Sequence, residues 1–269
     1  MEYGRFIGNI MKFNSGTGNA YASGARQSYV VRKFGLNSDV DAGEEMITTL
    51  GKSMSASVHP DCFLTAATTV RVKAGGNAND TAAGSRALTL TIEGLDENWL
   101  PARETVDLAG ASASASTTTT FIRVFRAYIG DTVGTYGLAN EGAITLENTA
   151  GTIDLLQIPA GAGQTEEAWF TVSAGYTAFI NHIDVGVDGT KTANLKCYFV
   201  DNTVTDAGRR TKLNWPGIGG FNNNTLGIPL KVTEKTDIIW TAGSSSNGLV
   251  SVEFDLFMVP NKLLENETF

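Results

Sequence analysis

"ALTLTIEGLDENWLPARETVDLAG", residues 87–110, carries the plainest pattern in the chain. Leu88, Leu90 and Ile92 alternate with Thr89, Thr91 and Glu93, and beyond a polar connection Val106 and Leu108 alternate with Thr105 and Asp107. A period of two sends successive side chains to opposite faces, so the stretch predicts two half-buried strands and the turn between them. Nothing in it looks like a nucleophile. The clearest order in this sequence belongs to a scaffold.

The same period recurs on either side. Short alternating runs at 68–74, 121–130, 143–148 and 153–158 are broken by Gly, Asn or Asp clusters, and a second series occupies 167–175, 177–189, 193–201, 229–243 and 249–259. Short strands without intervening helices cannot build parallel crossovers. The predicted class is all-β: two jelly-roll-like antiparallel β-sandwich units preceded by an extended N-terminal arm. "IPAGAGQTEE" (158–167) interrupts the pattern with Pro159 and two glycines. It sets the expected division into an arm over 1–30, a sandwich over 31–158, and a second sandwich with a short C-terminal tail over 159–269. One continuous double-layered domain is the alternative. "DAGEEMITTLG" (41–51) predicts a single short helix, with Asp41 as its cap, Glu44 three residues on, and Met46, Ile47 and Leu50 sharing a face.

With 42% hydrophobic and 18% charged residues in 269, the chain can bury a core without disulfide staples, and general disorder is excluded. The net charge of −8 hides an asymmetry: residues 1–33 hold Arg5, Lys12, Arg26, Arg32 and Lys33 against Glu2, leaving about −12 for the rest. An acidic body argues against a nucleic-acid surface, because phosphate contacts need clustered Lys and Arg. No apolar run has the length of a membrane helix, and residues 1–13 lack the apolar core of a secretory signal, so a cytoplasmic product with no membrane partner is expected. Cys62 and Cys197 form no CxxC arrangement and read as two free buried thiols, with one long-range disulfide left open.

The search for chemistry returns structural readings. His59 and Cys62 supply at most half of a zinc set. His182, in "FINHIDVGV", reads as a strand-surface residue; alternation puts Phe179, Asn181 and Ile183 on one face and Ile180, His182 and Asp184 on the other. "DVGVDG" (184–189) lacks calcium ligands where Gly186 and Leu195 stand. "GAGQTE" (161–166) and "PGIGGFN" (216–222) lack the lysine of a phosphate loop and the spacing of a dinucleotide fingerprint. Glu166 and Glu167, adjacent on a strand, point to opposite faces and cannot flank one glycosidic bond. The expectation is no enzyme, no catalytic residue, no cofactor and no metal.

Candidate contacts are apolar instead. Tyr3, Phe6, Ile7, Ile10, Met11 and Phe13 punctuate a Gly-, Ser- and Asn-rich segment, the composition of an arm that orders against a neighbour. Trp99 in "DENWLPAR", and Trp215 and Phe221 in "NWPGIGGFNNN", read as exposed aromatics. They would fill a neighbour's pocket, stack on a sugar ring, or cover the end of their own sandwich. The candidate assembly contacts are therefore Tyr3, Phe6, Ile10, Phe13, Trp99, Trp215 and Phe221.

Five segments carry a resemblance: "VVRKFGLNSDVD" (30–41), "NDTAAGSRALTLTIEGLDENWLPARETVDL" (79–108), "TTTTFIRVFRAYI" (117–129), "IPAGAGQTEEAWFTVSAGYTAFI" (158–180) and "SVEFDLFMV" (251–259). Together, across residues 30–259, they resemble structural proteins of tailed bacteriophages of the marine and cyanobacterial type. The motifs are strand and turn patterns, and Asn98-Trp99-Leu100-Pro101 stands where that family often has a Tyr-Asn type turn. The resemblance implies a virion component, assembled in the host cytoplasm. Size, the β-rich body and the arm point to a capsid decoration or cement protein that binds major capsid subunits as a homo-oligomer. A tail, adaptor or fibre-associated protein, or a host-carbohydrate-binding module, is the alternative.

Overall fold

The computed structural model describes residues 27–54, 59–133, 138–205, 208–244 and 247–265. The all-β class holds: fifteen strands and one terminal helix, α1 (Asn261–Glu265), make up the regular structure of these residues. β4 (Thr89–Leu95) and β5 (Pro101–Asp107) are the hairpin of the opening stretch, in register from Thr89↔Asp107 to Leu95↔Pro101. Asp96 closes its turn, Oδ1 accepting the Asn98 and Leu100 N–H groups at 2.8 and 2.9 Å.

β4 also pairs with β6 (Arg123–Ile129), giving the three-stranded order β5-β4-β6. β3 (Val70–Val72), β7 (Ile144–Asn148) and β8 (Asp154–Ile158) form a second three-stranded sheet. The remaining strands build two larger sheets. One has the order β1-β15-β10-β13, from Tyr29–Val40, Gly248–Pro260, Tyr176–Val187 and Phe221–Val232. The other runs β12-β11-β14-β2, from Arg210–Ile218, Ala193–Asp201, Thr236–Ser244 and Glu45–Met46, with β9 (Trp169–Thr171) also paired to β14.

Two hydrophobic cores result, and the β14 sheet feeds both. Ile238, Trp240 and Ala242 of β14, Phe170 of β9 and Cys197 of β11 enter the core shared with the β1 sheet. Ile239, Trp169, Tyr198 and Val200, one residue out of phase, enter the core formed with β3–β8. Period-two geometry thus makes this sheet a shared wall, which is why β14 is buried along nearly its whole length.

Several expectations need correction. Residues 41–51 hold no helix; they make β2 and its flanking turns. Asp41 Oδ1 accepts the Gly43 N–H at 2.6 Å, a local turn bond that competes with helix initiation. Met46 and Ile47 are fully buried in different cores, and opposite directions for adjacent residues suit a strand and not a helix face. The junction at 158/159 falls between β8 and β9, but β1 and β2, placed by sequence in the 31–158 unit, hydrogen-bond to β15 and β14. The run at 229–243 is two strands, because Lys235 adopts φ 57° in the turn between β13 and β14. Both cysteines are buried and unpaired. Burial pushes the Cys62 thiol up to about 12 and raises Cys197 as well, which leaves both unreactive.

Candidate functional site

Of the candidate contacts, Tyr3, Phe6, Ile10 and Phe13 lie outside the described residues. Trp99 is half-buried at the tip of the β4–β5 turn with φ 62°. Its carbonyl accepts the Ala174 N–H at 2.9 Å, and the Arg123 guanidinium stands 5.2 Å from its ring. Trp215 packs on the first core, 5.7 Å from Trp240. Phe221 is the one that stands free, at 73% exposure, and Ile228 on the same strand reaches 70%. The structure therefore brings none of the three aromatics together, and two of them cover their own protein.

Phe221 and Ile228 owe their exposure to position. β13 is the edge of the four-stranded sheet and, among the described residues, pairs only with β10. The ladder jumps from Ile180↔Leu230 to His182↔Thr225, so residues 226–229 bulge out of register and carry Ile228 outward. The same bulge corrects the face assignment of β10. One extra residue at Asn181 inverts the phase, so Ala178 and Ile180 bury beside Ile183 and Val185, while Phe179 joins the opposite face with His182 and Asp184.

That opposite face is an outward surface on which four strands are in register. Its rows read Val30, Phe257, Phe179, Lys231; Arg32, Asp255, His182, Thr225; Phe34, Glu253, Asp184, Asn223; and Leu36, Ser251, Gly186, Phe221. Arg32 grips Asp255 through two N–H donors at 2.7 and 2.9 Å, and its Nε lies 3.1 Å from Glu253. His182 Nε2 is 3.1 Å from Asp184 Oδ2, and Asn223 Nδ2 donates to Asp184 Oδ1 at 2.7 Å. The face is an acidic, hydrogen-bonded centre bordered by apolar side chains. Sequence reading placed His182 and Asp184 on a surface but missed this face, because its rows come from strands far apart in the chain. The alternation of Val30, Arg32, Phe34 and Leu36 in "VVRKFGL" was the available signal.

On the inner side of β1 lies a cleft of about 320 Å³ between β1 and the β4–β6 sheet, lined among others by Tyr29, Lys33, Glu93, Phe125 and Arg126. Lys33 is buried here, its Nζ donating to the Phe125 carbonyl at 2.7 Å. Nearby, Glu167 is almost fully buried and accepts from Thr49 Oγ1 at 3.3 Å. Burial raises the Glu167 carboxyl from 4.5 to about 8, against the attraction of Lys33, and burial lowers the Lys33 ammonium from 10.5 to about 8.

A stability signature follows. Between 4.5 and about 8 the folded chain keeps a proton on Glu167 that the unfolded chain has lost, so this contribution is whole below 4.5 and drains away as pH rises through 8. Lys33 has a depressed pKa and acts in the other direction, adding stability back between about 8 and 10.5. Urea unfolding should show their joint contribution at its lowest near pH 8, with limbs no steeper than about 1.4 kcal/mol per pH unit for either group. Glu167→Gln should flatten the limb below 8. An unchanged slope in that variant would assign the titration to another group.

His59 and Cys62 have separate uses. His59 Nε2 is 2.9 Å from Asn202 Oδ1, and the Cys62 thiol donates to Met46 Sδ at 3.8 Å. Among the described residues no group of three or more His, Cys, Asp or Glu side chains is placed to hold a metal ion. No helix among them is long and apolar enough to cross a membrane.

No protein-family model matches this chain, and no curated protein matches it. Among solved structures, the VP2 subviral particle of infectious bursal disease virus is 8% identical, with a TM-score of 0.15 over 88% of this chain and 83% of that one. The T=1 particles derived from that virus give 11% identity and a TM-score of 0.16 over 89% and 80%. The Gt strain of the virus gives 8% and 0.17 over 90% and 80%. At such scores the likeness fixes neither a shared topology nor a role.

Proposed function

We propose that this chain is a non-enzymatic structural component of a tailed-bacteriophage virion, a decoration or cement protein that joins major capsid subunits at the head as a homo-oligomer. The observation that carries this reading is the β13 edge: Phe221 and Ile228 stand out on a strand whose outer hydrogen-bonding side has no partner strand among the described residues, mounted on a frame with two packed cores. A free strand edge with apolar side chains is the form of a surface that pairs with another subunit. The resemblance of residues 30–259 to phage structural proteins supports the virion as the setting. Binding only the assembled shell would stabilise it by linkage, in proportion to the logarithm of concentration over affinity.

Copy number on purified particles tests the position. Head decoration predicts on the order of hundreds of copies and a tail part a few tens, as symmetry dictates. Absence from the particle would overturn the reading. Phe221→Ser with Ile228→Ser should abolish or greatly weaken particle binding while changing the isolated protein's stability by no more than about 0.5 kcal/mol, the range of exposed substitutions. A double variant that binds particles as well as the parent would remove β13 from the interface.

A further inference from the structure

We infer that the outward face of the β1-β15-β10-β13 sheet seats residues 1–26 of a neighbouring copy, an inference that rests on the structural role proposed above. Face and segment are complementary in charge and in apolar character. At the centre of the face stand Asp184, Glu253 and Asp255 with one guanidinium, that of Arg32, which pairs with Glu253 and Asp255. Alternation along the same face of the chain brings Asp188 after Asp184 and Gly186, and Asp188 is exposed. Lys231 is the other cation, at a corner beside Phe179. Apolar side chains border this centre: Val30 and Phe34 along β1, Phe179 and Phe257 at one end, Phe221 at the other.

The segment has the converse pattern. Arg5 stands between Tyr3 and Phe6, Lys12 adjoins Phe13, and Arg26 ends the stretch, against Glu2 as the sole acid. Cations interleaved with aromatics meet carboxylates bordered by aromatics, so each charge can pair while neighbouring rings exclude water from the pair. The segment is also delivered to the right place. It joins the body at the start of β1, an edge strand of this same sheet, so each copy that offers a face also carries a segment next to the face's rim. Reciprocal exchange between copies then repeats one contact around an oligomer.

The test is a charge swap in the full chain, read by sedimentation velocity over a range of concentration and salt. Asp184→Lys with Glu253→Lys reverses the face, and Arg5→Glu with Lys12→Glu reverses the segment. Each pair alone should weaken self-association at least about tenfold, and the four together should recover most of it. Added salt should weaken the parent's association in the same direction. The segment variant leaves every described core residue in place and carries the test should the face variant fail to fold. Chymotryptic cleavage at Tyr3, Phe6 and Phe13 supplies a second readout, and protection should grow with protein concentration. Unchanged association on either reversal, no recovery in the combination, or protection independent of concentration would overturn the inference. A parent chain that associates normally while the swaps have no effect sinks this inference alone; a parent that never associates, by itself or with capsid, sinks the structural role beneath it.

Discussion

Asp237→Ala is expected to destabilise the protein by about 3–5 kcal/mol, the cost of leaving one member of a buried ion pair without its partner. Asp237 on β14 and Arg123 on β6 are 0% and 3% exposed. Arg123 meets the carboxylate through Nε and Nη2 at 3.0 and 2.9 Å, a bidentate arrangement with little freedom to relax. Its remaining donor reaches the Leu64 and Ile122 carbonyls at 2.8 and 2.9 Å, and its plane lies 4.8 Å from the Phe63 ring. Removing Asp237 therefore strands a guanidinium that cannot reach water. It also strips acceptors from Thr171 Oγ1 and Asn202 Nδ2, which donate to Asp237 at 2.6 and 2.9 Å. Arg123→Met should cost less, because Asp237 keeps both of those donors. The double variant should fall well short of the sum of the singles, as members of one network do. Urea melts of the three variants measure this, and strict additivity would show that the pair does not act as a unit. The pair joins the β4–β6 sheet to the β14 sheet, so its loss should also loosen the contact between those two sheets.

That pair shows where sequence reading stops. Arg123 sits in "FIRVFRAYI" and Asp237 in "TDIIW", and each by itself looks like the polar phase of an ordinary amphipathic strand. Only pairing across 114 positions turns two surface-looking charges into one buried unit. The strands themselves were legible wherever one face met a core and the other lay nearer water, as at β10 and β15. β12 and β13 were not. They are edge strands with much of both faces exposed, so "NWPGIGGFNNN" lacks the alternation that burial imposes and reads as a loop. At 41–51 the error ran the other way: of three apolar residues at helical spacing, Met46 and Ile47 go to different cores and Leu50 to neither.

The candidate site was legible to the same limited degree. An exposed aromatic looks like a contact in sequence, yet Trp215 lies against Trp240 and Trp99 covers Arg123, because a large ring in a turn is as useful for sealing a sandwich end as for meeting a neighbour. Phe221 differs from them in the side it takes: Trp215 turns to the core from its edge strand, whereas Phe221 stands on the outward face of β13. Lys33 was the strongest unread signal. It falls on the inward phase of β1, where Val31 and Gly35 also lie, and a lysine in an apolar phase calls for a buried partner.

Trp240→Ala should cost about 3–5 kcal/mol, towards the upper end of the range for emptying a core aromatic site. Trp240 is fully buried in the middle of β14, between Trp215 at 5.7 Å and Phe254 at 6.1 Å. Collapse into the vacated volume is blocked on two sides. β14 is held by β11 along one edge and by β9 and β2 along the other, so its backbone cannot move towards the β1 sheet. Across the core, Phe254 belongs to β15, which is itself paired on both edges by β1 and β10. Trp240→Phe should be much milder, because the indole Nε1 has no hydrogen-bond partner among the described residues and its removal forfeits no bond to them. The difference between the two variants then reports volume alone. Because β14 is the wall common to both cores, Trp240→Ala should lower the urea midpoint of the whole chain as one transition, with the slope unchanged. Two separated transitions, or a loss below about 1 kcal/mol, would show that the two cores fold independently of the strand they share.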